Sequence, residues 1–336
     1  MRIGSLELAD GLLLAPLDGF GDAPFRLLCR SMGAVLSYVP IVPDDAILAR
    51  RRARRPLITY YVGERPLGIQ LLTRDPDRVV KAIARVLPLQ PAVIDLNMGC
   101  PARKVVQGGR GAGLLREPEL AAEVMAAAVG CSPVPVTAKI RLGWDDVTRN
   151  HVEVARLLEQ AGAAAICVHG RTRSQAYQGR ADWAAICEVR KAVSIPVIAN
   201  GDIYDVASAD AIVDSTGCAA AMAARGAIGN PWLFQRRDLF AVPLAERLGV
   251  LAKHLHMSVL HYGERRGVVS FRKHVVQYIK GLPGAAAVRT QLMHAQTAAA
   301  LLTTLAEQMA PDDRARSALL GQDVTEIKQW MGELCA

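Results

Sequence analysis

The sequence predicts an α/β fold, a (β/α)8 barrel followed by a small C-terminal helical bundle. Short apolar segments alternate with helical segments through residues 1–243. Several of these segments lack apolar–polar alternation, which is typical of parallel strands that helices cover on both faces. From residue 245 onward no strand candidate remains, and the chain continues as amphipathic helical segments.

Eight strand candidates recur in the first part of the chain, with helices between them. Asp75 followed by Pro76 predicts a helix start, because aspartate caps a helix and proline fits its first turn. Eight strands with intervening helices favour a closed barrel over a doubly wound sheet. The strand candidates are residues 12–15, 34–38, 67–72, 92–96, 134–140, 164–168, 196–199 and 218–223. Glycines just before strands predict helix ends at Gly33, Gly130, Gly162 and Gly217.

The helical region is predicted to be a separate domain, residues 244–336, after a barrel domain at 1–243. Its helices are expected at residues 248–262, 269–279, 286–307 and 313–334, with breaks at Gly263, Gly267 and residues 281–284. Its basic side chains include Arg265, Arg266, Arg272, Lys273, His274, Lys280 and Arg289. A denser arginine run, residues 50–55, falls on a predicted barrel loop.

Composition narrows the class of protein. Apolar residues make up 51% of the 336 residues, no segment is long and apolar enough to span a membrane, and the first residues do not resemble a signal peptide. Seven cysteines at scattered spacings favour a reducing compartment, so we expect a cytoplasmic protein. A formal net charge of +8 is a hint of a polyanionic partner. His254, His256 and His261 do not share one helix face, so we expect no metal site.

The central stretch is residues 92–113, AVIDLNMGCPARKVVQGGRGAG. It predicts a buried strand that ends in Asn97 and Cys100, followed by a glycine-rich loop without regular structure. Other strand candidates also end in polar residues, as expected for the active-site end of a barrel. These residues are Asp18, Gln70, Lys139 with Arg141, His169 with Arg171, Asn200 to Asp202, and Arg225.

The types of these residues indicate a phosphorylated cofactor or substrate. Residues 200–202 and 224–226 follow two late strands, where barrels hold phosphate with backbone N–H groups. Lys139 suits an anionic reduced flavin, and Gln70 can pair with a flavin edge through donor and acceptor. Asn97 can read a uracil-like edge in the same bidentate way. Cys100 is then a proton donor or a nucleophile.

Three functions remain open from the residues alone. A flavin-dependent reductase uses all of these groups. A Schiff-base lyase, in which Lys139 attacks a sugar carbonyl, leaves Gln70, Asn97 and the basic helical region without a role. A non-catalytic RNA-binding protein explains the charge but not a cysteine and a lysine at strand ends.

Several motifs resemble bacterial tRNA-dihydrouridine synthases over nearly the whole chain. They are IDLNMGCPARKVV at 94–106, VHGRTR at 168–173 and IANGD at 198–202. MRIGSLELAD at 1–10 and RKHVVQYIKGLPG at 272–284 are most similar to the B-type branch.

The resemblance implies that the barrel binds FMN, that NADPH reduces the flavin, and that a hydride passes to C6 of a D-loop uridine in tRNA. Position 17 is favoured, with 16 or 20 as alternatives. Cys100 would protonate C5, and Asn97, Arg141 and Arg171 would contact the substrate. FMN contacts are implied for Pro16, Leu17, Asp18, Gln70, Lys139, His169, Asn200, Gly201, Asp202, Ala224 and Arg225. A monomer that binds neither DNA nor membrane is expected.

The chain departs from the family pattern in three places. Leu17 replaces the usual methionine, which is a conservative apolar change. Ala224 replaces a glycine of the phosphate turn, and this matters only if its φ is positive. FMN binding is therefore expected to be intact, at most weaker. Residues 107–109 differ in the loop that carries Cys100 and are predicted to affect how that loop closes.

Overall fold

The structure, a computed structural model, describes residues 1–49 and 56–335, so the arginine run at 50–55 lies outside the described residues. Its barrel strands are β1 Leu13–Leu14, β2 Ser37–Pro43, β3 Leu67–Leu72, β4 Val93–Met98, β5 Val136–Arg141, β6 Ala165–His169, β7 Val197–Asn200 and β8 Ala220–Ala223. They are parallel, in the order β1-β8-β7-β6-β5-β4-β3-β2.

Hydrogen bonds between the first strand and the approach to β2 close the sheet into a barrel. The Leu14 amide donates to the Leu36 carbonyl at 2.9 Å, and the Val35 amide donates to the Leu12 carbonyl at 3.0 Å. The predicted barrel is therefore confirmed, with strands at all eight predicted places.

One strand differs clearly from its prediction. β2 runs from Ser37 to Pro43 instead of over residues 34–38. Proline argues against a strand because it has no amide to donate to the ladder. The register of β2 against β3 shifts between Val39 and Val42, and this bulge takes Pro40 out of the regular pairing.

Helices separate the strands. They are α1 Ala23–Ser31, α2 Asp44–Leu48, α3 Pro76–Val86, α4 Arg103–Gln107, α5 Pro118–Cys131, α6 His151–Gln160, α7 Trp183–Ala192 and α8 Val206–Thr216. Short 3-10 helices cover Val62–Glu64, Leu87–Leu89, Gly111–Arg116, Arg225–Ala227, Pro231–Gln235 and Leu239–Ala241.

The local signals account for most of these helix ends. Asp75 caps α3 as predicted, accepting from the amides of Asp77 and Arg78 at 2.9 and 3.0 Å. The predicted end at Gly130 is wrong, because α5 continues through it to Cys131. Glycines that lie just beyond helix ends, as predicted, are Gly33, Gly162 and Gly217.

The prediction that the stretch after β4 lacks regular structure is also wrong. It contains α4 and the 3-10 helix Gly111–Arg116. The glycines serve close packing here: a Cβ on Gly111 would lie 2.8 Å from the Cys100 carbonyl oxygen. The Ala112 amide donates to that same carbonyl at 3.1 Å. Cys100 is therefore held by its own following segment.

The C-terminal region is mostly helical, as predicted, but more divided. The expectation of no strand in this region is wrong, because Leu334–Cys335 forms a short strand antiparallel to Tyr60–Tyr61. The helices of the region are α9 Leu244–Tyr262, α10 Glu264–Tyr278, α11 Ala285–His294, α12 Ala298–Gln308, α13 Asp313–Leu320 and α14 Val324–Met331. The predicted helices at 286–307 and 313–334 are each interrupted. Thr297 caps α12 and Asp323 caps α14, so each interruption ends at a side chain that starts a new helix.

The predicted break at Gly267 is wrong for a physical reason. Gly267 lies inside α10, where α10 meets α9. A Cβ at this position would lie 2.6 Å from the Val259 Cα and 2.7 Å from the Ser258 carbonyl oxygen. The glycine therefore permits close helix packing instead of ending a helix.

The barrel and the helical region each have an apolar core, and a third cluster joins them. In this cluster Leu27 and Leu28 of α1 pack with Met257 of α9 and with Ile327 and Met331 of α14. A domain boundary between residues 243 and 244 stays a prediction. Among the helices described, none has the length and apolarity to cross a membrane.

Candidate active site

A cleft of about 600 Å³ opens at the C-terminal ends of the barrel strands. The predicted site residues in its lining are Pro16, Leu17, Asp18, Gln70, Asn97, Cys100, Lys139, Arg141, His169, Asn200, Gly201, Asp202, Ala224 and Arg225. The tertiary structure thus brings together residues from seven strand ends. Arg171 is the exception and lies behind the cleft.

A hydrogen-bonded network runs across β3, β4 and β5 under the cleft. The Gln70 amide nitrogen donates to the Asp95 carboxylate at 2.7 Å, and the Gln70 carbonyl accepts from the Asn97 amide nitrogen at 2.8 Å. The Thr137 hydroxyl donates to the other Asp95 oxygen at 2.6 Å. Burial raises the pKa of the Asp95 carboxyl, and the bonds from Thr137 and Gln70 oppose the rise. The network fixes both amide side chains that face the cleft.

Asn97 is oriented by the backbone that follows it. Its Oδ1 accepts from the amides of Gly99 and Cys100, at 3.2 and 2.9 Å. Both lone pairs of this oxygen are then used. The side chain therefore offers a ligand one N–H donor, which corrects the expectation that Asn97 pairs through donor and acceptor together.

Lys139 reaches across the barrel end to β7. Its Nζ donates to Asn200 Oδ1 at 2.8 Å, and the Asn200 amide nitrogen donates to the Met222 carbonyl at 2.7 Å. An ammonium has three donors, so this bond leaves two for a ligand. Burial lowers the pKa of the Lys139 amine.

Cys100 lines the same cleft with a half-buried side chain. Burial raises the pKa of its thiol, the Asp18 carboxylate adds to the rise, and the Arg141 guanidinium opposes it. A raised pKa keeps the thiol protonated at neutral pH. Cys100 is therefore suited to donate a proton and poorly suited to act as a thiolate nucleophile.

Arg141 connects the Cys100 segment to the loop after β6. Its guanidinium donates to the carbonyls of Gly99, Thr172 and Ala176, at 2.8, 2.9 and 2.7 Å. It also lies 5.5 Å from the ring centre of Tyr177. Burial lowers the pKa of Arg141 to about 10, so it remains a cation at neutral pH.

Arg171, behind the cleft, forms an ion pair with Asp202 of the cleft lining. Arg171 is 1% exposed, and its guanidinium donates to both oxygens of Asp202 at 2.7 and 2.8 Å. It also donates to His169 Nε2 at 3.2 Å. These partners make Arg171 a positioning residue for His169 and Asp202. The Asp202 carboxylate is likewise directed toward Arg171 and the Ala181 amide.

His169 faces the cleft as a neutral ring. Burial lowers its pKa well below the usual value, and the surrounding cations, Lys139, Arg141, Arg171 and Arg225, lower it further. Because Nε2 accepts from Arg171, the ring carries its proton on Nδ1. His169 can therefore donate a hydrogen bond to a ligand without adding charge.

Residues 224–226, the predicted phosphate turn, lie at the other side of the cleft. The Arg225 guanidinium lies 4.9 Å from the ring centre of Tyr177 and 5.9 Å from that of Tyr204. Ala224 has a φ of −124°, so its side chain is compatible with the turn. Gly226 is required, since a Cβ there would lie 2.1 Å from the Ile203 carbonyl oxygen.

Three residues of the site were not predicted from the sequence. Asp95 and Thr137 support Gln70 from below, and Tyr177 stacks near both Arg141 and Arg225. Asp95 was detectable, because it lies two residues before Asn97 on the same strand and so faces the same side. Tyr177 lies in a loop, where no periodic signal marks it.

Comparison with solved structures supports the barrel. The chain is similar to histamine dehydrogenase from Rhizobium sp. 4-9 with a TM-score of 0.53 and 11% identity. The match covers 76% of this chain and 50% of that chain. At this identity the likeness concerns the fold alone.

Sequence comparison is more specific. The chain is 42% identical to tRNA-dihydrouridine synthase B of Pseudomonas aeruginosa over 88% of this chain and 92% of that protein. It is 39% identical to tRNA-dihydrouridine synthase B of Pseudomonas syringae pv. tomato over 85% and 87% of the two chains. Residues 13–313 match the family described as dihydrouridine synthase (Dus). The chain therefore belongs to the dihydrouridine synthase family.

Proposed function

We propose that this chain is a tRNA-dihydrouridine synthase that uses FMN to reduce a D-loop uridine of tRNA. Family membership supports the reaction class and a flavin cofactor, and relatives named tRNA-dihydrouridine synthase B support tRNA as substrate. The structural observation that carries the proposal is that Cys100, Lys139 and the phosphate turn meet in one cleft.

The residues of the cleft fit FMN. Arg225 and the start of the 3-10 helix Arg225–Ala227 offer a cation and backbone N–H groups for a phosphate. Lys139 and Gln70 each keep N–H donors for the polar edge of a flavin ring. The cleft volume lies within the range of roughly 300–1,000 Å³ that small-molecule sites occupy.

FMN, when bound and reduced, would supply the hydride for C6 of uracil. The Asn97 N–H donates to a uracil carbonyl and orients the base, which must leave its stack to enter the cleft. The Sγ–H bond of Cys100 breaks as the C5–H bond forms. Arg141 stabilises the thiolate that remains, and solvent reprotonates it.

Several finer features belong to the same proposal. NADPH is the reductant, and position 17 is the favoured uridine. The helical region holds the tRNA, because its exposed cations neutralise phosphates and supply affinity that does not depend on sequence. We also propose that the enzyme acts as a monomer in the cytoplasm.

The first experiment combines purified flavin-loaded protein with NADPH and tRNA from cells that lack dihydrouridine, and then maps the reduced positions. We expect one reduced D-loop uridine. Cys100→Ala should keep its flavin and its reduction by NADPH, and lose roughly 10²- to 10⁴-fold in uridine reduction. Cys131→Ala, a half-buried cysteine outside the cleft, is the matched control. Equal turnover of the two variants would exclude Cys100 as the acid.

The Schiff-base alternative has a separate test. A lyase would form a covalent adduct between Lys139 and a sugar carbonyl, which borohydride traps. In the structure Lys139 instead donates to Asn200. We expect no trapped adduct with phosphorylated sugars, and a Lys139 adduct seen by peptide mass analysis would contradict the proposed function.

A further inference from the structure

Two histidines and an aspartate converge between the barrel and the helical region, away from the cleft. His254 lies on α9, His274 on α10, and Asp22 at the start of α1. Ring nitrogens of the two histidines and a carboxylate oxygen of Asp22 all lie within 4.8 Å of one another. The histidines are 0% and 1% exposed, and Asp22 is partly exposed. None of the three lines the cleft.

The buried ring nitrogens have unmet bonding capacity. Nε2 of His254 and both ring nitrogens of His274 have no hydrogen-bond partner. The His274 ring packs on Phe20 and Phe25, with centres 5.4 and 5.1 Å apart, and these contacts leave its nitrogens unsatisfied. Buried polar atoms without a partner are destabilising and call for an explanation.

The other nitrogen of His254 is prepared for ligation. Nδ1 lies 3.1 Å from the Tyr278 hydroxyl oxygen. If Nδ1–H donates to that oxygen, the lone pair of Nε2 is left to face the cluster. Metal-binding histidines usually donate their second N–H in this way, which sets the tautomer and the ring orientation.

We propose that Asp22, His254 and His274 bind one divalent transition-metal ion of the Zn²⁺ class. Two imidazoles with one carboxylate suit such an ion, whereas Mg²⁺ and Ca²⁺ prefer oxygen ligands alone. Bond lengths of 2.0–2.1 Å place tetrahedral ligands roughly 3.4 Å apart, so small side-chain rotations complete the site. Water completes the coordination on the exposed side of Asp22.

The charges around the proposed site limit its affinity for a metal ion. The Lys273 ammonium acts on all three ligands, and the Arg26 guanidinium acts on Asp22. These cations repel the divalent metal ion, and the single carboxylate of Asp22 offsets only part of this repulsion. The ion is therefore expected to bind with moderate affinity.

The ion connects three elements that are far apart in the chain. Asp22 follows the loop that carries Pro16, Leu17 and Asp18 from β1 into the cleft. His254 and His274 belong to the helical region. The site therefore acts as a structural clamp between the two parts, and it does not depend on the proposed reaction.

The test uses untagged, flavin-loaded protein that has been stripped with a chelator. Titration with Co²⁺ should produce the visible absorption of a low-symmetry cobalt site, and equilibrium dialysis with Zn²⁺ should give one ion per chain. Asp22→Asn and His274→Gln should each weaken binding by more than about tenfold, since even outer-shell losses cost that much. His256→Gln, on the same helix but outside the cluster, should bind as the unmodified protein does.

Asp22→Asn separates the loss of a ligand from the loss of a helix cap. Asparagine caps a helix as well as aspartate does, so α1 keeps its start. Without metal this variant should unfold at the same temperature as the unmodified protein, and Zn²⁺ should raise the unfolding temperature of the unmodified protein alone. Absence of stoichiometric binding to the unmodified protein, or equal binding by Asp22→Asn, would overturn the proposal.

Discussion

Cys100 and His169 both face the cleft in their uncharged forms, and burial is the main cause in each case. Burial raises the pKa of the thiol and lowers the pKa of the imidazole. Both groups can therefore donate hydrogen at neutral pH. The positive charge of the cleft is carried instead by Lys139, Arg141 and Arg225, which fits the anionic flavin that we propose.

The raised pKa of Cys100 predicts a pH profile. The proton donor should persist through neutral pH and be lost only above pH 9, the ordinary pKa of the thiol. Turnover should therefore stay level up to that pH and fall beyond it. Single-turnover uridine reduction with pre-reduced flavin measures this step separately from NADPH. A fall centred below pH 9, or the same fall in the residual activity of Cys100→Ala, would contradict the assignment.

The phosphate turn allows a test with two opposite substitutions. Ala224→Gly should leave the dissociation constant of FMN unchanged, because φ at this position is negative. Gly226→Ala should weaken FMN binding by at least about tenfold, or 1.4 kcal/mol, because the new Cβ would displace the Ile203 carbonyl. Flavin fluorescence titration of the stripped protein measures both. Tighter FMN binding by Ala224→Gly would show that alanine at this position, in place of the glycine usual in the family, weakens FMN binding.

At the scale of secondary-structure elements, the Arg171–Asp202 pair joins the ends of β6 and β7. Arg171→Met leaves the partly buried Asp202 carboxylate with one cationic partner, Arg225 at 3.7 Å, and should lower the free energy of unfolding by about 1.5–3 kcal/mol. Arg149→Met, which breaks pairs with two more exposed carboxylates, should cost no more than about 1 kcal/mol. Urea unfolding measures the stability of both variants. An equal loss in the free energy of unfolding would rule out a special role for Arg171.

The contact between α9 and α10 offers a second comparison at this scale. Gly267→Ala should lower the free energy of unfolding by about 1–3 kcal/mol, because the methyl group overlaps the backbone of α9. Gly249→Ala, inside α9, meets its nearest atom at 3.6 Å and should stabilise by about 0.5–1 kcal/mol through better helix propensity. Thermal and urea unfolding report both changes. If both substitutions changed the free energy of unfolding in the same direction, the packing role of Gly267 would be contradicted.

At the scale of the whole molecule, the proposal that the helical region binds tRNA depends on its exposed cations. Arg272 and Lys273 are less available than the sequence implies, because they donate to the carbonyls of Ala295 and Gly19. Arg265, Lys280 and Arg289 are exposed. These three are the better candidates for phosphate contacts.

Charge reversal tests the RNA-binding surface. The double variant Arg265→Glu with Arg289→Glu should weaken tRNA binding and reduce the slope of log affinity against log salt by about 0.9 or less per lost contact. NADPH oxidation without tRNA should not change. Lys81→Glu with Lys191→Glu, on exposed positions of barrel helices, makes the same change in net charge and should leave the slope unaltered. Identical slopes for the two double variants would place the tRNA elsewhere.

The sequence predicted a large part of this protein. The strand positions, the barrel and the residues at the strand ends follow from local patterns, because apolar runs, caps and the geometry of a barrel act over short stretches. The errors occurred where local signals are ambiguous. Gly130 and Gly267 each predict a helix break, but both helices continue through these residues. At Gly267 the reason is the close packing of α10 against α9.

The fold class, the family motifs and the set of chemical groups in the cleft follow from the amino-acid sequence alone. The tertiary structure decided how those groups are used. It turned Asn97 into a donor, moved Arg171 behind the cleft, set the protonation of Cys100 and His169, and placed Asp22 beside His254 and His274. These properties depend on burial and on contacts between residues distant in the chain, and no local pattern encodes them.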